Sequence, residues 1–254
     1  MTSTAQGRLL LVPNTLDLGG APQPLDEVLP DGVLRLAAGL THWVVENAKS
    51  ARALLNRIAA RHPLALPLQA LDIRELPRPP KGPPAAAAAA DLGPLLAPAL
   101  AGHDVGLLSE AGLPAVADPG ADLVAEAHRR GIVVQAMSGP SSLMLALCAS
   151  GLNGQSFAFV GYLPQAPDAR LQRLRELQAA SRQHRQTQLF IETPYRNAAL
   201  LQAALQALDG RTRLSVSVGL TLPGGWTRTD TVDGWRTRPA ALPERVPAVF
   251  ALLA

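Results

Sequence analysis

The sequence has few of the residues that build disulfides, metal centres and membrane spans. Its 254 residues include one cysteine, Cys148, which excludes an intrachain disulfide and a zinc site built on several cysteines. The apolar residues around Cys148 predict that it is buried. Five histidines are scattered without metal-ligand spacing, so we expect no metal. No apolar run approaches the roughly 18 residues of a membrane helix, and we expect no membrane partner.

Charge is also scarce. Charged residues make up 17% of the chain and the formal net charge is +3, which is compatible with an RNA partner but does not require one. Arginines recur through residues 170–185, where basic side chains at helical spacing form either a solvated face or a set of phosphate contacts. The first residues, MTSTAQGR, contain no apolar signal core, so we expect a cytoplasmic protein.

What the chain does have is short apolar runs separated by turns, with 23 prolines and 21 glycines. This alternation of strand and helix patterns predicts an α/β protein. The predicted strands are Arg8–Val12, His42–Val45, Val105–Leu108, Ile132–Ala136, Thr187–Ile191 and Leu214–Val218, with antiparallel strands over Trp226–Trp235 and Val246–Leu253. The predicted helices are Gly32–Leu40, Leu143–Ser150, Asp168–Ser181 and Ala198–Leu208. Residues 74–98, rich in proline and alanine, are expected to form a surface loop or a flap over a cleft.

Glycine and proline are concentrated in the turns of residues 109–164. SEAGLPAVADPG follows one predicted strand, SGPSS follows the next, and GYLP closes the stretch. Turns this constrained leave backbone N–H and C=O groups available to a ligand, and open α/β sheets bind ligands beyond the carboxyl ends of their strands. The same glycines could serve only to form left-handed turns, so both interpretations stay open.

The three motifs, in this order and spacing, resemble the tetrapyrrole methylase family of S-adenosylmethionine-dependent methyltransferases. They are most similar to its branch that methylates the ribose 2′-oxygen of cytidine in 16S ribosomal RNA, where they read S-[DE]-A-G-x-P-x-x-x-D-P-G, P-G-P-S and G-[FY]-L-P. The resemblance implies two α/β domains, residues 1–138 and 139–254. Each would be a mixed sheet flanked by helices, with the cofactor in the cleft between the domains. It also implies a homodimer.

The cofactor that the resemblance implies is S-adenosyl-L-methionine, held largely by backbone groups. The residues implied to contact it are Pro13, Gly112, Leu113, Pro114, Val116, Ser141, Ser142, Tyr162 and Leu163. Methyl transfer to oxygen is an in-line displacement, in which the protein mainly aligns the reactants. A ribose hydroxyl must also lose a proton, and we expect Glu192 first, then Glu46 or Glu110, to accept it. Glu192 could instead cap a helix or pair with Arg196.

The implied substrate contacts are Lys49, Arg52, Tyr195 and Arg196. They lie where the chain departs from the branch: Glu-Asp-Thr-Arg reads ENAK at 46–49, and Glu-Ser-Pro-His-Arg reads ETPYR at 192–196. The first loop, 13–19, departs as well. Three functions follow. Methylation of an RNA ribose is the leading expectation, methylation of a tetrapyrrole-like small molecule is the second, and a non-catalytic cofactor- or RNA-binding homologue is the third.

Overall fold

The computed structural model describes residues 6–16, 23–77 and 91–254. The chain forms two compact units, Met1–Pro140 and Ser141–Ala254. Each unit has its own five-stranded sheet and its own hydrophobic clusters. Two segments of the sequence analysis lie partly outside the described residues: 17–19 of the first loop, and 78–90 of the expected loop or flap.

The N-terminal unit is built on a wholly parallel sheet. Its strands are β1 (Arg8–Leu11), β2 (His42–Val45), β3 (Asp72–Glu75), β4 (Val105–Leu108) and β5 (Val133–Ala136), in the order β3-β2-β4-β1-β5. Its helices are α1 (Leu25–Val28), α2 (Asp31–Ala38), α3 (Ala48–Ala59), α4 (Gly93–Leu100) and α5 (Ala121–Arg129). Because parallel strands share one direction, the loops that follow β1, β2, β4 and β5 lie at one edge of the sheet.

The centre of this sheet is packed around a single glycine. Every residue of β4 is buried, since the strand lies between β1 and β2. Gly106 of β4 pairs with Trp43 of β2, and a side-chain carbon on Gly106 would lie 2.6 Å from Trp43 Cε3. The indole therefore fills the space above the glycine, which joins the central strands into one core.

The C-terminal unit has a mixed sheet. Its strands are β6 (Phe157–Tyr162), β7 (Thr187–Ile191), β8 (Arg213–Val218), β9 (Trp226–Thr231) and β10 (Ala248–Leu253), in the order β6-β7-β10-β8-β9. Only β6 and β7 pair in parallel. Its helices are α6 (Ser142–Ser150), α7 (Pro167–His184), α8 (Asn197–Ala207) and α9 (Val232–Thr237). The carboxyl ends of β6, β7 and β8 lie at the same edge.

The predicted α/β class with two sheets is confirmed, and β2, β4 and β7 have the predicted bounds. The N-terminal sheet, however, is parallel rather than mixed, and β3 was not predicted. The tail prediction was wrong over Val232–Trp235, which form helix α9. Thr231 Oγ1 accepts a hydrogen bond from Gly234 N, which caps the helix, and Val232 and Trp235 are buried three residues apart.

The prediction for Cys148 was also wrong, because its side chain is exposed. Helix α6 is apolar on every side, and its buried positions are Leu143, Ala146, Leu147 and Ser150. Cys148 falls between these positions and faces outward, so composition alone did not reveal the inner face. None of the described helices is long and apolar enough to cross a membrane.

Candidate cofactor and substrate site

The loop between β4 and α5 is attached to the loop that follows β1. Asn14 Nδ2 donates hydrogen bonds to the carbonyl oxygens of Ser109 (3.1 Å) and Glu110 (2.9 Å). The backbones of the two loops are joined as well, since Asn14 N donates to Gly112 O (2.8 Å) and Gly112 N donates to Thr15 O (3.3 Å). The amide of Asn14 is buried, so these bonds hold the two loops as one rigid unit.

Beyond Gly112 the same loop leaves two backbone donors unused. The N–H groups of Leu113 and Ala115 donate no hydrogen bond within the part of the chain that the structure describes. Ala115 and Ala117 both have positive φ, at 64° and 63°, a conformation that costs an alanine on the order of 1 kcal/mol or more. Unused donors on a strained loop at the carboxyl edge of a parallel sheet are what a nucleoside cofactor needs from the backbone.

Two glycines let three loops meet at this edge. Gly112 has φ +63°, and a side-chain carbon there would lie 3.3 Å from Leu16 Cδ2 and 3.4 Å from Pro140 O. At Gly139, in the turn after β5, a side-chain carbon would overlap the ring of Pro13. The N-terminal unit therefore brings Pro13 and Gly112, two of the residues implied to contact the cofactor, together at one edge. Pro114 is buried, Leu113 is half-buried and Val116 is exposed.

Three carboxyl groups lie at this edge, one in the loop after β2 and two in the loop between β4 and α5. Glu46 follows β2, and its Oε2 accepts a hydrogen bond from Glu110 N (3.0 Å). Burial of Asp118, together with the negative charges of Glu46 and Glu110, raises the pKa of Asp118 to about 7. Asp118 forms no hydrogen bond or ion pair with any described residue. Its carboxyl group can therefore exchange a proton near neutral pH.

Asp118 was not among the site residues that the sequence predicts. The available signal was the Asp-Pro-Gly sequence at the end of the loop, which was interpreted as a turn. Burial raises the pKa of Asp118 most, and the charge of Glu46, which is far away in the sequence, raises it further. Both conditions exist only in the folded protein. Among the described residues, no group of three or more His, Cys, Asp or Glu side chains is arranged to hold a metal ion.

Helix α3 begins directly after Glu46 and presents two cations. The side chain of Asn47 caps the helix, accepting hydrogen bonds from Lys49 N (2.9 Å) and Ser50 N (3.4 Å). Asparagine at this position can cap the helix as the aspartate of the family pattern could, because both side chains carry an acceptor oxygen. Lys49 and Arg52 are exposed on the first two turns, and neither pairs with an acidic residue among those described.

The C-terminal unit places its predicted residues at two points. Ser141 caps α6, because its Oγ accepts a hydrogen bond from Met144 N (3.5 Å), and Ser142 is the first residue of that helix. Tyr162 is paired with Ile191 across the parallel strands β6 and β7, so the residues that follow both strands lie side by side. Tyr162 is exposed and Leu163 is buried.

Glu192 follows β7 and is fully enclosed. Its side chain has no exposed surface, and its Oε1 accepts hydrogen bonds from Thr193 N (2.7 Å) and from Arg196 Nη2 (2.7 Å). The side chain of Arg196 keeps 32% of its surface exposed, and the neighbouring Tyr195 is 78% exposed. Glu192, Tyr195 and Arg196 thus lie together in the turn between β7 and α8, and these three residues form one corner of the C-terminal unit.

Three of the four arginines of α7 are engaged within the C-terminal unit. Arg173 pairs with Glu176 (3.2 Å) and Arg182 pairs with Asp209 (2.9 Å). Arg170 is buried and donates to Gln165 O (3.0 Å). These contacts favour a structural role for the three arginines over a set of phosphate contacts.

Comparison with known proteins places the chain in a family. The model of the Tetrapyrrole (Corrin/Porphyrin) Methylases matches residues 41–232, which is more than half of the chain. The chain belongs to this family, as the motifs predict.

Two individual relatives of the same name each match part of the chain. "Ribosomal RNA small subunit methyltransferase I" of Mesorhizobium japonicum is 41% identical over 145 residues, which are 57% of this chain and 48% of that protein. The protein of the same name from Vibrio cholerae is 38% identical over 122 residues, 48% of this chain and 41% of its own. The chain thus matches about half of these relatives' length or less.

A solved structure supports the fold. Uroporphyrin-III-C-methyltransferase from Thermus thermophilus has a TM-score of 0.50 and 22% identity, with 97% of this chain and 92% of that protein covered. At this identity the likeness concerns the fold alone.

Proposed function

We propose that this protein is an S-adenosyl-L-methionine-dependent methyltransferase that acts on a ribose 2′-oxygen of ribosomal RNA. The observation that carries the proposal is the loop between β4 and α5, in which the N–H groups of Leu113 and Ala115 are unused by any described residue at the carboxyl edge of a parallel sheet. Support for the substrate comes from the names of the relatives from Mesorhizobium japonicum and Vibrio cholerae, which are ribosomal RNA methyltransferases.

The cofactor would supply an electrophilic methyl group. In the proposal, the residues that hold it are Pro13, Gly112, Leu113, Pro114 and Val116 of the N-terminal unit, with Ser141, Ser142, Tyr162 and Leu163 of the C-terminal unit. Backbone contacts tolerate changes of side chain, which is consistent with leucine at position 113. The rigid bonds of Asn14 would keep the loop in its binding conformation, which reduces the entropy lost on binding.

Asp118 is the proposed proton acceptor. Its pKa of about 7 suits a general base near neutral pH, and it has no partner among the described residues that would compete for the incoming proton. In this mechanism the proton of the ribose hydroxyl moves to the Asp118 carboxylate. Glu46 contributes by charge, because its carboxylate keeps the pKa of Asp118 high, and this is how it serves catalysis.

RNA would be held by Lys49 and Arg52 of the N-terminal unit and by Tyr195 and Arg196 of the C-terminal unit. Two properties accompany the proposal: a cytoplasmic location, where ribosomal RNA is found, and a homodimer. Exposed apolar side chains favour an oligomer, since Val133 on the edge strand β5 is 61% exposed and Met144 and Leu145 are exposed on α6. Sedimentation equilibrium would report the dimer directly.

One experiment tests the proposed reaction. The protein is incubated with S-adenosyl-L-methionine carrying a labelled methyl group and with either deproteinised small-subunit ribosomal RNA or a mixture of tetrapyrroles. We expect label in the RNA alone, in a dinucleotide that resists alkali, because a methylated 2′-oxygen cannot attack the adjacent phosphate. Label in the tetrapyrroles would show that the methyl acceptor is a small molecule rather than RNA. If calorimetry showed no binding of S-adenosyl-L-methionine, the remaining interpretation would be a non-catalytic homologue.

A further inference from the structure

Glu192 is placed where it cannot reach a substrate directly. Its side chain has no exposed surface, and one oxygen, Oε1, already accepts two hydrogen bonds, from Thr193 N and from Arg196 Nη2. A general base must be within hydrogen-bond reach of the proton that it removes. Both carboxylate oxygens of Glu192 are shielded from solvent, so another role explains this residue better.

The ion pair of Glu192 and Arg196 fixes the orientation of the Arg196 side chain more than it stabilises the protein. Removing two charges from water costs about as much as their attraction returns, so a buried pair adds little net stability. What it does provide is a fixed direction for the guanidinium, because charge-assisted hydrogen bonds of 2.7 Å tolerate little displacement. Arg196 directly precedes helix α8, and its backbone N donates to Thr193 O (2.9 Å), which fixes the other end of the residue.

The exposed side of this corner combines an aromatic ring with an arginine, as nucleic-acid binding surfaces do. Tyr195 is more exposed than any other large hydrophobic side chain that the structure describes. Beside it, Arg196 retains an exposed portion and forms its only described ion pair with Glu192. Aromatic rings that stack on unpaired bases, next to arginines that contact phosphates, are how proteins bind single-stranded RNA.

We propose that Glu192 is a positioning residue, which fixes Arg196 so that Arg196 and Tyr195 together form a contact for single-stranded RNA. Tyr195 stacks on a base and Arg196 contacts the neighbouring phosphate. The inference deepens the proposed function and rests on it for the RNA substrate, while the proton acceptor lies elsewhere. Lysine cannot replace Arg196, because a single ammonium cannot bond Glu192 and a phosphate with the same planar geometry.

The test separates positioning from proton transfer. Glu192→Gln keeps the shape of the side chain and the bond from Thr193 N but removes the charge. We expect it to raise the KM for ribosomal RNA roughly tenfold, which is the loss of one charge-assisted contact, with kcat and the pH profile unchanged. Arg196→Lys should do the same, and the double variant should be no worse than either single one. A fall in kcat on the order of a hundredfold in Glu192→Gln, with unchanged RNA affinity, would overturn the proposal.

Two further variants test the outer side of the corner. Tyr195→Ala should weaken binding of a single-stranded RNA oligonucleotide roughly tenfold, as one base stack is lost, whereas Tyr195→Phe should bind normally. Arg211→Gln removes a positive charge from the opposite edge of the same sheet, since it precedes β8, and serves as the charge control. Equal weakening by Arg211→Gln and Arg196→Lys would mean a diffuse charge effect and would refute a built contact.

Separate readouts distinguish the two proposals. Calorimetry with S-adenosyl-L-methionine should give the same affinity for every variant, because no change touches the cofactor loop. A wild-type protein that binds RNA without methylating it would disprove the proposed function, yet the ranking of RNA affinities would still decide the role of Glu192. If Glu192→Gln unfolds, Glu192→Asp keeps the charge and shortens the reach to Arg196, and normal RNA affinity in that variant would reject positioning.

Discussion

The backbone of Gly139 lies directly against the ring of Pro13. A side-chain carbon on Gly139 would overlap both Cβ and Cγ of Pro13. Pro13 follows β1 and Gly139 follows β5, and these strands are paired, so the contact joins two neighbouring loops at the carboxyl edge of the sheet. The glycine of the SGPSS turn is therefore required by packing, independently of any ligand.

Gly139→Ala should destabilise the protein. Neither the proline ring nor the paired strands can move far enough to admit a methyl group, and overpacking of this kind costs about 1 to 3 kcal/mol. Gly154→Ala is the matched control, because a side-chain carbon there meets nothing within 4 Å. Urea unfolding should show the loss in the first variant and almost none in the second. Equal midpoints would mean that the two loops separate more easily than their contact indicates.

Asn47→Ala should weaken helix α3. The asparagine side chain satisfies two backbone donors of the first turn, and its loss costs about 1 kcal/mol. Asn47→Asp should retain the stability, since a carboxylate accepts the same hydrogen bonds. The free energies of unfolding of the three proteins test this directly. Loss of stability in Asn47→Asp as well would show that the amide nitrogen, rather than the cap, matters.

Asp118 should make the fold less stable as the pH rises. Its pKa is about 7 in the folded protein against 3.8 for an aspartate in its ordinary, solvated state, so the folded state binds more protons between those values. Stability therefore falls from pH 4 to pH 7. Asp118→Asn should be more stable than the wild type at pH 8, by about 1 to 2 kcal/mol after allowance for solvent exposure, and equal to it near pH 4.

Asp122→Asn is the control for this pH dependence. Asp122 is exposed in the first turn of α5, so its replacement removes a carboxyl group without relieving burial and should not give the gain in stability at pH 8. The measurement is a series of urea titrations from pH 4 to pH 8. Parallel curves for wild type and Asp118→Asn would contradict the raised pKa.

Gly112→Val should remove cofactor binding while the protein stays folded. Valine strains a position with φ +63° and brings methyl groups towards Leu16 and Pro140, so the loop must move. We expect the affinity for S-adenosyl-L-methionine to fall by at least about tenfold in calorimetry. Gly131→Val carries the same strain at φ +71° with nothing within 4 Å, and it should bind normally. Weakening by both variants would indicate general destabilisation.

The predictable part of the fold lies in local patterns. Strands β2, β4 and β7 were predicted with their observed bounds, because each is a short apolar run between turn residues. Helix α9 was missed because Val232 and Trp235 suit a strand as well as a helix, and the cap from Thr231 decides between them. The strand β3 carries the charged sequence DIRE at a sheet edge, so it has no apolar run to reveal it.

The candidate site was predictable to the level of loops. Glycine and proline in SEAGLPAVADPG indicated exposed backbone, and the described loop has unused donors at that place. The roles of the carboxyl groups were not predictable. Glu192 and Asp118 both follow strands or turns at a sheet edge, yet one is enclosed with Arg196 and the other is unpaired and has a raised pKa.

The sequence by itself determined the family, the α/β class and the position of the glycine- and proline-rich turns, because these depend on neighbours within a few residues. Only the tertiary structure decided which strands are parallel, where Cys148 points, and which carboxyl group can hold a proton near neutral pH. Burial and charge act through space, and the parallel sheet brings Glu46 to Glu110 and Asp118, whose loop is far from Glu46 in the chain.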